Sequence, residues 1–428
     1  MHNLKNIPWW AYIAFFKIAY IVLLAYFHPT AYLSVDAQGY LQLAENLWHQ
    51  HTFSRNITSP YLFDTLRTPG YPIFILLTGG LINPWFTIIA QQVISVLGAY
   101  WLYQWLKQWN IKQQTTLLIA ILFALDIPSF IFNSYLLADG LFQTLIVGVC
   151  YFLIGKKTPS TSAILLVIAC YVKPAALFFI PIWALYLLYT KPHYKSVAII
   201  AISLCLVFCW NYRNHQHHQR FIFSTAGEFN WCSWHGANII AQQNNIPITQ
   251  AQYVWWDSLA TNYPTIPENN PVAYSQYISQ QSTNLIFSNL DLLTKQTIQG
   301  VAMLWLKPTR SHIDQQWEIQ PTKKGTGWLS KLQSTSWLGL LLMFLQVISM
   351  ILLYPLAIYG YFVLLKKHKL LAIFIGVTLL YFSCMILPPT TYARLRLPII
   401  PLIYFLAALG LPTFIPALKN TKWLTQKV

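Results

Sequence analysis

The sequence predicts an all-α integral membrane protein with about ten transmembrane helices. The chain has 428 residues, of which 56% are hydrophobic and only 9% charged, whereas soluble domains carry about 25% charged residues. Apolar runs close to the length of a bilayer crossing, about 20 residues, recur along most of the chain. Backbone polar groups in lipid must be satisfied internally, so each run is predicted to be helical. This composition excludes an ordinary water-soluble enzyme.

Ten apolar stretches are predicted spans: residues 9–27, 84–106, 114–131, 134–154, 160–172, 174–190, 196–211, 337–364, 370–387 and 396–415. The first follows a short basic start without a convincing small-residue cleavage site, so it is interpreted as an uncleaved span rather than a signal peptide. Residues 71–81 are apolar but shorter and end in Gly79-Gly80. We expect this segment to be juxtamembrane or re-entrant.

The charges predict the orientation of these spans. Lysines fall before the first span, after the last, and in four short connectors on the same side: Lys5, Lys107, Lys112, Lys156, Lys157, Lys191, Lys195, Lys366, Lys367, Lys369, Lys419, Lys422 and Lys427. This positive-inside pattern places both termini in the cytoplasm. The net charge of +16 therefore indicates membrane orientation rather than nucleic-acid binding, because the basic residues are scattered among loops.

All carboxylates and arginines then fall on the outer side or at outer span ends: Asp36, Glu45, Asp64, Asp126, Asp139, Glu228, Asp257, Glu268, Asp291, Asp314, Glu318, Arg55, Arg67, Arg213, Arg220, Arg310, Arg394 and Arg396. Acid–base chemistry needs carboxylates or histidines, and bidentate phosphate binding favours arginine. Any chemistry is therefore expected on the outer face.

The predicted organisation has three parts. Residues 1–210 form an N-terminal transmembrane module with a first outer loop at 28–83 that contains juxtamembrane helices. Residues 211–336 form a large outer loop or small domain, and residues 337–428 a C-terminal transmembrane module. Of the six cysteines only Cys232 lies well outside an apolar run, so no disulfide framework or zinc spacing is present. The cluster His215-Gln216-His217-His218 lacks a spaced partner, so no metal ligand is assigned.

The first outer loop holds the strongest candidate residues. Residues 34–48 have one apolar face at helical spacing, typical of a helix in the membrane interface. Asp36 starts this helix and is either its N-cap or a functional carboxylate. The run Arg67-Thr68-Pro69-Gly70-Tyr71-Pro72 predicts a rigid turn, in which Arg67 is either functional or an interfacial anchor. Asp126, before Ile127-Pro128, is open to interpretation as a helix cap.

Five short motifs in order resemble the GT-C glycosyltransferases, in the branch with the protein O-mannosyltransferases and lipid A aminoarabinose transferases. They are Asp36-x-x-Gly39-Tyr40-x-x-x-Ala44 with Arg67-Thr68-Pro69-Gly70-Tyr71-Pro72; Tyr135-Leu136-Leu137-Ala138-Asp139; Lys173-Pro174; Trp210-Asn211-Tyr212-Arg213-Asn214 with Phe223-Ser224-Thr225; and Tyr392-Ala393-Arg394-Leu395-Arg396-Leu397-Pro398. The resemblance covers roughly residues 1–240 and 370–415. It leaves the middle of the large loop unmatched, so the acceptor stays open.

The resemblance implies a GT-C-like fold and a transferase that moves a sugar from a polyprenyl-phosphate donor to a hydroxyl of a glycan, lipid or protein, with inversion. Its expected place is the bacterial inner membrane, with the site on the periplasmic face. Asp36 is the implied general base. The implied ligands of the donor phosphate are Arg213, Arg394, Arg396 and Lys173, and the implied substrate-binding residues are Arg67, Tyr71, Asp139, Tyr40 and Asn214. No cofactor is predicted, since the lipid-linked sugar is a substrate, and a divalent metal is left open.

Two other classes remain open from the residues alone. A transporter or flippase would place ionisable groups near the bilayer midplane, where only Lys17 is predicted to lie. A non-catalytic scaffold would not need carboxylates and arginines on one face. Arg394 and Arg396 are also open to interpretation as anchors of the last span.

Overall fold

The computed structural model describes residues 8–109, 111–262, 271–309, 315–317, 336–385 and 393–414. Within these ranges the elements are helices, which confirms the predicted all-α class. Some residues of the predictions above lie outside the described residues, namely Lys5, Glu268, Arg310, Asp314, Glu318, Tyr392, Lys419, Lys422 and Lys427.

The N-terminal part contains ten α-helices: α1 (Trp9–Phe27), α2 (Ala37–His49), α3 (Gly70–Leu77), α4 (Pro84–Leu106), α5 (Gln113–Ala124), α6 (Ile127–Phe132), α7 (Ala138–Cys150), α8 (Pro159–Val172), α9 (Phe179–Thr190) and α10 (Tyr194–His218). A π-helical turn, Tyr151–Gly155, continues α7, and a 3-10 turn, Pro174–Ala176, precedes α9. The middle part contains α11 (Ala226–Asn230), the π-helical segment Trp231–Gly236, α12 (Ala237–Asn244), α13 (Ile248–Thr261), α14 (Pro271–Phe287) and α15 (Leu290–Leu306). The C-terminal part contains α16 (Trp337–Lys367), α17 (Lys369–Cys384), a 3-10 turn at Ala393–Arg396 and α18 (Ile400–Phe414).

Among the described residues, five helical stretches are long and apolar enough to cross a membrane: Trp9–Phe27, Pro84–Leu106, Ala138–Gly155, Tyr194–His218 and Trp337–Lys367. Shorter apolar helices occupy the other predicted spans: Gln113–Ala124, Pro159–Val172, Pro174–Thr190, Lys369–Cys384 and Ile400–Pro412. The chain is therefore an integral membrane protein by the length and composition of its helices. The count of ten crossings stays a prediction.

The predicted span 114–131 is interrupted at Asp126. The Asp126 carboxylate accepts hydrogen bonds from the Ser129 backbone N–H at 3.1 Å and from the Ser129 hydroxyl at 2.7 Å. A capping carboxylate followed by Pro128 near the helix start is a typical helix beginning, so the chain starts anew as α6. Asp126 thus acts as a helix cap.

The short helix α3 overlaps the apolar segment 71–81 that was predicted to be juxtamembrane or re-entrant. It has eight residues, about 12 Å at 1.5 Å per residue, against a hydrocarbon core of about 30 Å. Gly79 adopts a left-handed backbone, φ 73°, which favours glycine and turns the chain toward α4. These dimensions support a juxtamembrane or re-entrant segment.

Helix α7 lies at the centre of the molecule. Each of its residues from Ala138 to Cys150 is buried, and it packs against α4 and α8. Asp139, in its first turn, is therefore placed at the buried centre. On the C-terminal side α16 and α18 approach closely at Gly360, where an added Cβ would meet the Leu406 backbone carbonyl. Small residues at such contacts let membrane helices pack tightly.

The helices of the predicted outer region have a small core of their own. Cys232, Leu259 and Ile278 are buried together, and four aromatic side chains pack on them: Trp255, Trp256, Tyr274 and Tyr277. The same region is tied to the first outer loop, since the Thr225 backbone N–H donates to the Thr65 carbonyl at 2.8 Å. Its status as a separate domain stays a prediction.

Candidate functional site

Five charged side chains form one connected set of ion pairs, called here the charge network. The Asp36 carboxylate accepts from Arg67 Nη2 at 2.5 Å and from Arg394 Nη2 at 2.7 Å. The Asp139 carboxylate accepts from Arg394 Nε at 2.8 Å and from Lys173 Nζ at 2.5 Å. Arg394 therefore bridges the two carboxylates, and three cations against two anions leave one net positive charge.

Each member of the charge network stands at the end of a helix or in a turn. Asp36 immediately precedes α2, and Arg67 lies just before α3. Asp139 is in the first turn of α7, Lys173 follows α8, and Arg394 is in the 3-10 turn before α18. Ionic side chains can meet there without standing in the middle of an apolar helix, where charges are costly.

The side-chain contacts of Asp36 are with arginines and not with the start of α2. Its side chain makes no capping hydrogen bond to α2, and both of its oxygens accept from arginines instead. Burial acts to raise the pKa of the Asp36 carboxyl, but the Arg394 and Arg67 guanidiniums outweigh it and hold that pKa below its usual range. Asp36 is thus an ionised carboxylate committed to the charge network.

The charge network has an open side. The side chains of Arg67, Arg394, Lys173 and Asp36 keep 28%, 24%, 21% and 18% of their surface exposed, whereas Asp139 keeps 1%. Asp139 therefore forms the buried base of the network, and the partly exposed surface of the other four side chains is called here the mouth. Such a mouth suits an anionic ligand, because fixed cationic donors are already in place.

Two tyrosines support Arg67: Tyr40 contacts it directly, and Tyr71 packs against Tyr40. The Arg67 guanidinium lies over the Tyr40 ring at 5.0 Å, a cation–π contact, and the Tyr40 and Tyr71 rings meet edge to face at 4.7 Å. The Tyr71 hydroxyl donates to the Gln91 side chain, which is itself held by backbone carbonyls before α7. Tyr71 is fully buried, so its contacts favour support of Tyr40 over the predicted substrate binding.

Asp64 orders the Arg67 turn, a role that was not predicted from the sequence. Asp64 Oδ1 accepts from the Arg67 backbone N–H at 2.8 Å, and Oδ2 pairs with Arg55 Nε. A hydrogen bond of 2.7 Å from the Ser224 hydroxyl to the Leu66 carbonyl adds a second tie. The available signal was an aspartate three residues before the arginine in a turn-forming run, where aspartate commonly binds nearby backbone N–H groups.

Gly70 allows the Arg67 turn to lie against the end of α8. An added Cβ at Gly70 would stand 2.6 Å from the Tyr171 carbonyl group and 2.7 Å from the Val172 nitrogen. This backbone contact lies immediately before Lys173. The absence of a side chain at Gly70 thus brings the segment of Arg67 beside that of Lys173.

Arg396 lies outside the charge network. Its Nη1 donates to the Leu304 and Trp305 carbonyls at 3.2 and 2.7 Å and contacts the Tyr354 hydroxyl at 3.1 Å. Those carbonyls belong to the last turn of α15, whose carbonyl groups lack helical partners. Arg396 therefore caps α15. Its contacts favour an anchoring role over the predicted phosphate binding, although the helix it anchors is α15 rather than the last span.

Arg213 and Asn214 are also directed elsewhere. The Arg213 guanidinium lies over the Phe63 and Trp210 rings at 4.9 and 4.7 Å and donates to the Asn214 side chain at 2.7 Å. The Asn214 amide donates to the Ile222 carbonyl at 2.7 Å. The pair fastens the end of α10 to neighbouring loops, and the structure does not bring either residue into the charge network.

The histidines at the end of α10 contact the same loop. The His217 ring stacks on Phe63 at 3.6 Å, and His218 Nε2 lies 3.1 Å from the Phe63 carbonyl oxygen. Within the part of the chain that the structure describes, no three His, Cys, Asp or Glu side chains come together as a metal site would require.

The chain is similar to a known protein in its fold. No family model matches the sequence, and no curated protein matches it. The fold is similar to that of ArnT from Cupriavidus metallidurans in the apo state, with a TM-score of 0.37 and 12% identity, over 92% of this chain and 76% of that chain.

Proposed function

We propose that this protein is a membrane glycosyltransferase that moves a sugar from a polyprenyl-phosphate donor to an acceptor hydroxyl. The observation that carries the proposal is the charge network: an ionised carboxylate, Asp36, lies within 2.7 Å of two arginines at a partly open mouth. The transfer needs a base and a phosphate-binding group side by side.

The chemistry assigns a role to each part of the network. An acceptor hydroxyl loses its proton as its oxygen attacks the anomeric carbon, and a carboxylate within hydrogen-bond reach can take that proton. The leaving lipid phosphate gains negative charge as its bond to the sugar breaks, and fixed cations stabilise it. We assign the first role to Asp36 and the second to Arg394, Arg67 and Lys173. A single direct displacement inverts the anomeric centre.

The proposed setting is the outer face of a bacterial inner membrane. The predicted topology places lysine-rich connectors in the cytoplasm and the helix ends of the charge network outside. At that depth the mouth would lie near the lipid head groups, where a lipid phosphate is presented. The acceptor is a glycan, lipid or protein.

A transporter or flippase is the alternative, and Lys17 is the observation that favours it. Lys17 is buried within α1 and donates to the Ser95 hydroxyl at 2.7 Å, and an intramembrane lysine often marks a transport path. However, the five members of the charge network stand at helix ends and in turns, away from the middle of any apolar helix. This arrangement favours the transferase.

The test is mass spectrometry of glycans and lipids from cells with the gene, without the gene, and with Asp36→Asn. A sugar mass that is absent in the deletion and in Asp36→Asn, with normal protein amounts, is the expected result. It would also identify the sugar and the acceptor class. Unchanged glycans and lipids together with a transported substrate that survives Asp36→Asn would reject the transferase in favour of the carrier.

A further inference from the structure

Both oxygens of the Asp36 carboxylate are paired with guanidiniums in the described state. One oxygen accepts from Arg67 and the other from Arg394, and burial limits its contact with water. A general base must turn a lone pair toward the proton it removes. A carboxylate held by two guanidiniums is also a weak base, since opposite charges stabilise its ionised form. Asp36 in this arrangement is a latent base.

The arginines have the capacity to bind another anion. Arg67 gives one N–H and Arg394 gives two N–H groups to the network, so both retain further donors. Both side chains reach the open mouth. Arginine binds phosphate through paired, charge-assisted hydrogen bonds. A phosphate at the mouth can bind the unused donors first and then compete with Asp36 for the same guanidiniums.

We propose that the donor phosphate itself releases the base: on binding, it takes the guanidiniums of Arg67 and Arg394 from Asp36, which then faces the acceptor hydroxyl. The inference rests on the proposed function and adds an order to it. The lipid-linked sugar binds before the acceptor is activated, so an empty site does not hold a free base.

Asp139 is the positioning residue in this exchange. It is almost completely buried and does not reach the mouth, and it holds both Arg394 Nε and Lys173 Nζ from beneath. When Asp36 turns away from Arg394, the bond of Arg394 to Asp139 keeps the guanidinium in place. Asp139 thereby acts through Arg394 and Lys173 and does not touch the substrate.

The transfer step balances in atoms and charge. The acceptor oxygen forms a bond to the anomeric carbon, and its proton passes to the Asp36 carboxylate. The bond between the anomeric carbon and the phosphate oxygen breaks, and its electron pair leaves with the lipid phosphate. The arginines and Lys173 bind the additional negative charge.

The exchange makes the titration of Asp36 depend on the ligand. The groups that face Asp36 are Arg67, Arg394, Tyr40 and Asp139, with Lys173 behind Asp139. Loss of two arginine contacts raises the pKa of a carboxyl, and a nearby phosphate raises it further. Both effects have the same sign, so the Asp36 pKa should rise when the phosphate is bound.

The experiment uses the full chain in lipid nanodiscs with 13C-carboxyl-labelled aspartate, and farnesyl phosphate as the probe. The Asp36 signal is assigned by its loss in Asp36→Asn, and its titration midpoint is measured with and without the probe. We expect an upward shift of about one pH unit or more. A midpoint that stays constant or falls while farnesyl phosphate binds would overturn the inference and leave the proposed phosphate site standing. Failure of farnesyl phosphate to bind would overturn both.

Two variants test the positioning role of Asp139. Asp139→Asn should weaken farnesyl phosphate binding about tenfold, equivalent to about 1.4 kcal/mol, because Arg394 and Lys173 lose the carboxylate that positions them. It should also reduce the ligand-induced shift at Asp36. Glu228→Gln is the matched control, because Glu228 pairs with Arg220 outside the network. Its binding and its Asp36 midpoint should equal those of the wild type. Wild-type binding and an unchanged shift in Asp139→Asn would reject the positioning role.

Discussion

Asp36 and Arg394 stand 358 positions apart in the chain, and their side chains form an ion pair of 2.7 Å. The pair joins the first outer loop to the turn before the last helix. Residues so distant in sequence are brought together only when the helices between them are packed. The ion pair is therefore both part of the site and a marker of the completed fold.

Asp36→Asn should abolish most transfer while the protein remains folded. The amide keeps the shape of the carboxylate but is a far poorer proton acceptor, and general-base catalysis contributes about 10²–10⁴-fold in rate. The measurement is product formation by purified protein with a lipid-linked sugar donor, beside a thermal unfolding curve. Transfer within a factor of about two of the wild type would remove Asp36 from the role of base.

Arg394→Lys and Arg396→Lys should separate two arginines that are two positions apart. Arg394 contacts both carboxylates through different nitrogens, a geometry that a lysine ammonium cannot reproduce. We expect Arg394→Lys to lower transfer by on the order of a hundredfold. Arg396→Lys should instead lower the free energy of unfolding by about 1–3 kcal/mol through loss of buried hydrogen bonds. Equal effects of the two variants on transfer and on unfolding would contradict this division.

Gly70→Ala should destabilise the protein and disturb the Arg67 turn. The added methyl group would lie 2.6 Å from backbone atoms of Tyr171, and forced overpacking typically costs about 1–3 kcal/mol. Gly227→Ala is the control, because an added Cβ there meets nothing within 4 Å. Thermal unfolding and farnesyl phosphate binding measure the two consequences. If Gly70→Ala is as stable as Gly227→Ala, the close approach of Gly70 to the Tyr171 backbone does not require glycine.

His235 should make the outer helices sensitive to acid. Burial lowers the pKa of its imidazole to about 4, from the usual value of about 6.5. Between these two values the unfolded chain binds a proton that the folded protein does not, so stability falls as the pH falls through this window. The measurement is the free energy of unfolding as a function of pH. His235→Phe should make that free energy less dependent on pH in this window, whereas His49→Gln, at an exposed position, should leave the dependence unchanged. An identical pH dependence in wild type and His235→Phe would refute the assignment.

Much of the architecture could be read from hydropathy because membrane helices must be continuous apolar runs. The observed α1 coincides with the predicted span 9–27, and α4 with 84–106. The break at Asp126 could not be predicted from hydropathy, because the predicted span continues past it to residue 131. In the structure the Ser129 backbone N–H donates to the Asp126 carboxylate, and a new helix begins there. Hydropathy shows which residues are apolar, but the start of α6 depends on one local hydrogen bond.

The site was predictable in part for a similar reason. The motif resemblance selected Asp36, Arg67, Asp139, Lys173 and Arg394, which the fold brings into one network. It could not distinguish Arg394 from Arg396, because neighbours two apart in a 3-10 turn of three residues per turn point in different directions. The role of Asp64 in the Arg67 turn was not predicted, because the contact is with a backbone N–H, a group that every residue but proline offers.

The cap that Arg396 places on α15 couples the position of the outer region to that of the site. The final carbonyls of α15 rest on a side chain only two residues from Arg394, so a tilt or slide of α15 would pull directly on the turn that carries the bridging guanidinium. A movement of the outer helices would therefore shift the charge network. A chimaera that exchanges the outer segment would need to preserve the end of α15 to keep those charges in register.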